Sequence, residues 1–121
     1  MDKKTEISAA ELEVMQVLWE AETPMRVQDV CDRLTENNWK YKTVATLLMR
    51  MEEKGAVASQ KEGKANLYRP LLDREIYQKE QTKNFVKRLY NGSVKDLAVS
   101  LFQSDDLTET DIAEIRELFH L

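Results

Sequence analysis

Three apolar stripes at helical spacing precede Gly55, and directly after it the period changes. Leu12, Met15, Leu18 and Trp19 form the first stripe, and Val27, Val30, Cys31 and Leu34 the second. Val44, Leu47, Leu48 and Met51 form the third, at the i, i+3, i+4, i+7 spacing that gathers apolar groups on one side of a helix. Ser8-Ala-Ala-Glu11 reads as a capping box opening the first helix, which is expected to run to about Glu22 before Thr23-Pro24 breaks it. The second helix is expected over 27–36 and the third from about Lys42 to Lys54, with Gly55 as its C-terminal stop. Beyond it, "AVASQKEGKANLYRP" reads as a β-hairpin with strands near 56–60 and 66–70 around the polar turn Lys61-Glu62-Gly63-Lys64.

From Asp73 the pattern is helical again. Ile76, Tyr77, Phe85, Val86, Leu89 and Tyr90 mark a long helix that Asn91-Gly92 ends. Val94, Leu97, Ala98, Leu101 and Phe102 mark a short one, and Thr108-Glu-Thr-Asp111 opens a last one carrying Ile112, Ile115, Leu118 and Phe119. These helices total under fifty residues yet each exposes an apolar stripe. So small a unit needs a second copy of the chain to bury it. The expected dimerisation residues are Phe85, Leu89, Leu97, Leu101, Ile112, Ile115, Leu118 and Phe119.

The expected fold class is therefore mainly α with a small β-hairpin wing. A winged helix-turn-helix domain over 1–72 precedes a three-helix dimerisation domain over 73–121. In that architecture the third helix lies in the DNA major groove and the wing touches the backbone beside it. The face opposite the apolar stripe of the third helix carries Lys42, Thr46, Met49 and Arg50, with Thr43 to one side and Glu53 near its far end. Arginine can grip guanine with two hydrogen bonds, and a threonine methyl can pack on thymine. Lys61 and Lys64, in the hairpin turn, suit phosphates.

A net charge of −4 at first opposes nucleic-acid binding, but its distribution does not. Residues 1–37 hold 4 basic and 9 acidic groups, residues 38–69 hold 7 and 3, and residues 70–121 hold 7 and 10. The basic stretch coincides with the third helix and the hairpin.

Other chemistries lack their parts. The three glycines stand alone in turns, so there is no phosphate-binding loop. His120, the only histidine, sits beside the last residue, and Cys31 lies on an apolar stripe, so neither offers a nucleophile–base pair. Paired Cys/His spacing for a metal is missing, and no cofactor is expected. No apolar run approaches a membrane span, and the opening MDKKTEISAAE is too polar for a signal peptide. The expected location is cytoplasmic.

"ISAAELEVMQVLWE", "KNFVKRLYNGSVKDLAVSLF" and the stretch from Trp39 to Gly55 resemble the penicillinase-repressor family of bacteria, the BlaI/MecI/CopY group. The most specific piece is W-x-x-K-T-x-x-T-L-x-x-R-[LM]-x-x-K-G. It is matched by Trp39, Lys42, Thr43, Thr46, Leu47, Arg50, Met51, Lys54 and Gly55. The resemblance implies a homodimeric repressor, not an enzyme, that blocks transcription from two-fold symmetric operators with TACA/TGTA half-sites. It also implies that Lys42, Thr43, Thr46 and Arg50 contact DNA. In the β-lactam-responsive branch a membrane sensor-protease triggers repressor cleavage at an Asn–Phe bond. The matching position here is Leu101–Phe102, without the asparagine, and plain apolar core is the other reading of that pair. The copper-responsive branch uses C-terminal cysteines, which residues 100–121 lack. A winged-helix module that holds a protein partner is the alternative to DNA binding.

Overall fold

The computed structural model describes residues 6–118, so Phe119 lies outside the described residues. The chain divides into two compact units, the first ending at Tyr77 and the second starting at Gln78.

In the first unit, α1 (Ala9–Glu20) starts at the expected capping box. The Ser8 hydroxyl accepts from the Glu11 N–H at 3.1 Å, and the Glu11 carboxylate accepts from the Ser8 N–H at 2.9 Å. Arg26 precedes α2 (Val27–Arg33), and Asp29 accepts from the Arg26 N–H. This helix ends earlier than its stripe implies. Leu34 leaves helical geometry while its side chain stays buried, and Thr35–Asn37 form a separate 3-10 turn closed by Asn38 at φ 57°. Apolar spacing alone cannot register such a break, because Leu34 remains core on either side of it.

Helix α3 (Tyr41–Glu53) matches its expected range within a residue. Lys54 is its last cap, and Gly55 turns left-handed at φ 80°. The Ala56 N–H donates to Met51 O at 2.9 Å and the Gly55 N–H to Glu52 O at 3.0 Å. This is the paired carbonyl capping that a glycine in that conformation allows. Val14, Met15 and Leu18 of α1 meet Val27 and Val30 of α2 and Val44, Leu47, Leu48 and Met51 of α3 in one buried core.

The hairpin pairs β1 (Val57–Glu62) with β2 (Ala65–Pro70), antiparallel, with Val57 opposite Pro70 and Glu62 opposite Ala65. Its turn is shorter than the expected four residues. Gly63, at φ 64°, and Lys64 make it alone, because a glycine at the first central position of a two-residue turn matches the strand twist. Lys61 is thereby moved from the turn into β1, opposite Asn66. A further pairing has no signal in the sequence pattern: Met25 and Tyr68 exchange two backbone hydrogen bonds at 2.9 and 2.7 Å. Met25, between Pro24 and Arg26, supplies both the donor and the acceptor on its side of the bridge.

The chain leaving the hairpin is held against α1. The Trp19 indole N–H donates to Leu72 O at 2.9 Å, and its ring lies 5.9 Å from that of Tyr77. Trp19→Phe keeps an aromatic ring but strands the Leu72 carbonyl. The expected loss is about 1 kcal/mol, seen as a melting point about 4–8 °C lower. An unchanged melting point would show that the carbonyl finds water at no cost.

In the second unit, α4 (Arg74–Leu89, beginning in the first) continues to the Asn91-Gly92 turn, where both residues have positive φ. Helix α5 (Val94–Gln103) is capped by the Ser93 hydroxyl, which accepts from the Asp96 N–H. Helix α6 (Glu109–Leu118) is preceded by reciprocal bonds between Thr108 and Asp111. Among the described residues of this unit only Val86 is buried, and Phe85, Leu89, Val94, Val99, Leu101, Phe102 and Leu118 stand exposed. One buried valine does not make a core. Among the described residues no helix is long and apolar enough to cross a membrane.

Candidate nucleic-acid interface

Burial of Val44, Leu47, Leu48 and Met51 fixes the rotation of α3, and so decides what its other side presents. Lys42, Thr43, Thr46, Met49 and Arg50 all stand exposed. Lys40, Lys42, Thr43, Thr46, Leu47 and Arg50 line one open groove. The structure thus brings together all four recognition residues expected from the sequence and adds Lys40. The Thr46 hydroxyl donates back to Lys42 O at 2.9 Å, which sets its rotamer.

The electrostatics favour an anion. Among the described residues the ion pairs are Arg26–Asp29 and Lys54–Glu11, so Lys42 and Arg50 have no carboxylate within reach. The first turn of α3 contains no acid and no side chain caps it. Its free N–H groups and the positive end of the helix dipole therefore face solvent beside Lys40 and Lys42. Such an end attracts phosphate.

Lys61, on β1, and Lys64, in the turn, are both exposed, and Arg69 adds a third cation on β2. The Ser59 hydroxyl donates to the Glu52 carboxylate at 2.5 Å, tying β1 to the last turn of α3. That bond has no sequence signature.

Lys54 has a different part from its motif neighbours. Its ammonium donates to the Glu11 carboxylate at 2.6 Å and to Glu6 O at 3.0 Å, pinning the end of α3 to the start of α1. Glu11 is 2% exposed, and its other oxygen has no hydrogen-bond partner among the described residues. Burial pushes its carboxyl up, but the bonds from Lys54 and Ser8 together hold it below the usual range.

Cys31 is half-buried against the core, and burial, with Asp32 beside it, raises its thiol. This describes a packed side chain rather than a reactive thiolate. A second concave surface between α1 and α2 is acidic, lined by Glu20, Glu22, Asp29 and Asp32 with Arg33. Among the described residues no group of three or more His, Cys, Asp or Glu is placed to hold a metal ion. Leu101 and Phe102 lie in the last turn of α5, both exposed.

The family model for the penicillinase repressor matches residues 7–120. The penicillinase repressor of Bacillus licheniformis is 33% identical over 119 residues, covering 98% of this chain and 92% of that protein. The DNA-binding domain of the repressor BlaI, solved in solution, superposes with a TM-score of 0.53 at 39% identity, over 61% of this chain and 90% of that one. Monomeric Bacillus licheniformis BlaI in complex with the blaP half-operator gives a TM-score of 0.51 at 38% identity, over 62% and 92% of the two chains. The fold is thus the winged helix that the helix–hairpin order implies.

Proposed function

The chain belongs to the penicillinase-repressor family, and from that membership we propose that it is a cytoplasmic, homodimeric repressor that reads a two-fold symmetric DNA operator with α3. A repressor, rather than an enzyme, is what its relatives are. The observation that carries the reading is the α3 face, where Lys42 and Arg50 stand exposed without counterions among the described residues, flanking Thr43 and Thr46 at an acid-free helix start. Arg50 is assigned to a guanine, Thr43 and Thr46 to thymine methyls or phosphates, and Lys42 to a base or phosphate. Lys61 and Lys64 of the wing contact the backbone. The solved relative bound to a half-operator supports DNA binding by this domain.

The DNA-reading domain spans 1–72 and the dimerisation domain 73–121. Phe85, Leu89, Leu97, Leu101, Ile112, Ile115 and Leu118 form the dimer surface, with Phe119. Two identical recognition helices on a two-fold axis select a palindrome. Release follows an inducing signal. In the proteolytic route, a membrane sensor-protease triggers a cut at Leu101–Phe102, which needs the last turn of α5 to open and detaches the final helix from the dimer.

The test is selection of genomic fragments on the purified protein at near-physiological salt, followed by sequencing. Enrichment of a palindrome is expected. Arg50→Ala is expected to lose about 1–3 kcal/mol of discrimination at one base position per half-site, and Lys42→Ala to lower the salt dependence of binding. Fragments retained without a common sequence, and indifferent to both changes, would instead direct attention to the acidic concavity between α1 and α2 as a protein-binding surface.

A further inference from the structure

We propose that Met49 is a specificity-determining residue of α3, placed to pack on the C5-methyl of one thymine in each operator half-site. The inference rests on the reading of α3 as the recognition helix and goes beyond the four polar contacts assigned to it.

Met49 is 58% exposed, a large apolar side chain in the middle of an otherwise polar surface. It lies three residues beyond Thr46 and seven beyond Lys42. At 3.6 residues per turn, seven residues return to within about 20° of the same direction, so Met49 shares a stripe with Lys42. Three residues bring its Cβ to about 5–6 Å from that of Thr46. Tyr41, the other exposed large apolar residue of α3, is its first residue and is turned about 100° from Lys42, off that stripe.

The axial position also fits. Met49 lies about 10 Å along the helix from Lys42 and about 1.5 Å before Arg50. That is roughly three base-pair steps from the first contact. A polar side chain at this place could address a donor or acceptor, whereas a thioether cannot compete for either with water. The apolar feature that the major groove offers is the thymine methyl. Methionine, unbranched and polarisable, adapts to such a contact without tight geometry. Glu53, four residues further on the same face, sets its outer limit, because its carboxylate is repelled by the phosphates.

The test uses the full-length protein and the operator obtained by genomic selection, with each thymine replaced in turn by deoxyuridine, which lacks only the methyl. For the wild type, the position that Met49 reads is expected to lose about fourfold in affinity, the worth of one buried methyl-sized group. It is told from any thymine packed by Thr43 or Thr46 because only its loss vanishes in Met49→Ala. Met49→Ala should lose a similar factor on the thymine operator and then lose nothing more when that same thymine becomes uracil. Met49→Leu should restore the sensitivity. Losses at every uracil position that are identical for wild type and Met49→Ala would overturn the assignment while leaving α3 as the reading helix. A wild type that selects no sequence at all would overturn both.

Discussion

Leu101→Asp is expected to make the protein sediment as a monomer and to weaken binding to the full operator by about 10²–10⁴-fold. Affinity for an isolated half-site should barely change. Leu101 is 51% exposed on α5, so in a single chain the aspartate displaces no buried group, and a surface change of this kind costs within about 0.5 kcal/mol. In a dimer the same position is covered, and an unpaired carboxylate there must be stripped of water. The expected loss in operator affinity follows from unlinking two half-site contacts that the proposed dimer makes as one. Sedimentation equilibrium at micromolar protein, with half-site and full-site titrations side by side, separates these effects. A variant that stays dimeric would remove α5 from the proposed interface. One that becomes monomeric yet keeps full-operator affinity would refute the linkage instead.

The second large effect is on folding. Lys54→Ala removes the cation that holds the buried Glu11 carboxylate and leaves Glu6 O without its donor. Breaking a fully buried pair costs about 3–5 kcal/mol. Here Lys54 keeps 39% of its side chain in water, so the expected cost is about 2–3 kcal/mol. The pH dependence carries the sign. In the wild type Glu11 titrates below an ordinary carboxyl, so its contribution is complete above the unfolded-state value and is lost as pH falls through the lowered one. Without Lys54, the same burial is opposed only by the bonds from Ser8, so Glu11 is harder to ionise than in the wild type. Its penalty is then present at neutral pH and relieved by protonation. The stability gap between the two proteins should therefore narrow from pH 7 toward about pH 4. Urea titrations at several pH values read this directly, and a gap that stays constant would show that Glu11 is not the group left unpaired.

Lys54 also shows where sequence reasoning reaches its limit. The resemblance placed it in the same motif as Lys42 and Arg50, and spacing alone treats all three as cations on one helix. Its partner, Glu11, lies 43 residues away and was already accounted for as half of a capping box. No pattern within a window of a few residues can contain that pair. The Met25–Tyr68 bridge escaped for the same reason, whereas the Ser59–Glu52 bond, only seven residues apart in the chain, depends on how β1 folds back beside the end of α3. The shortened turn differs in kind: Gly63 marked the turn correctly, but whether two or four residues form it depends on the strand register.

The sequence by itself determined the local elements of this protein. Apolar groups at helical spacing, the Ser8–Glu11 box, Gly55 and Asn91-Gly92 act within one or two turns of chain, where the nearest neighbours settle the conformation. The rotation of α3 was legible too, because four core residues on one side leave Lys42, Thr46 and Arg50 on the other. Only the tertiary structure decided that α2 stops at Arg33, that Lys54 closes the core edge rather than facing a ligand, and that Lys61 stands on a strand. The Lys54 pair depends on groups brought together from distant parts of the chain, and the helix stop and the strand register on which of several local conformations the packed core and paired strands accept.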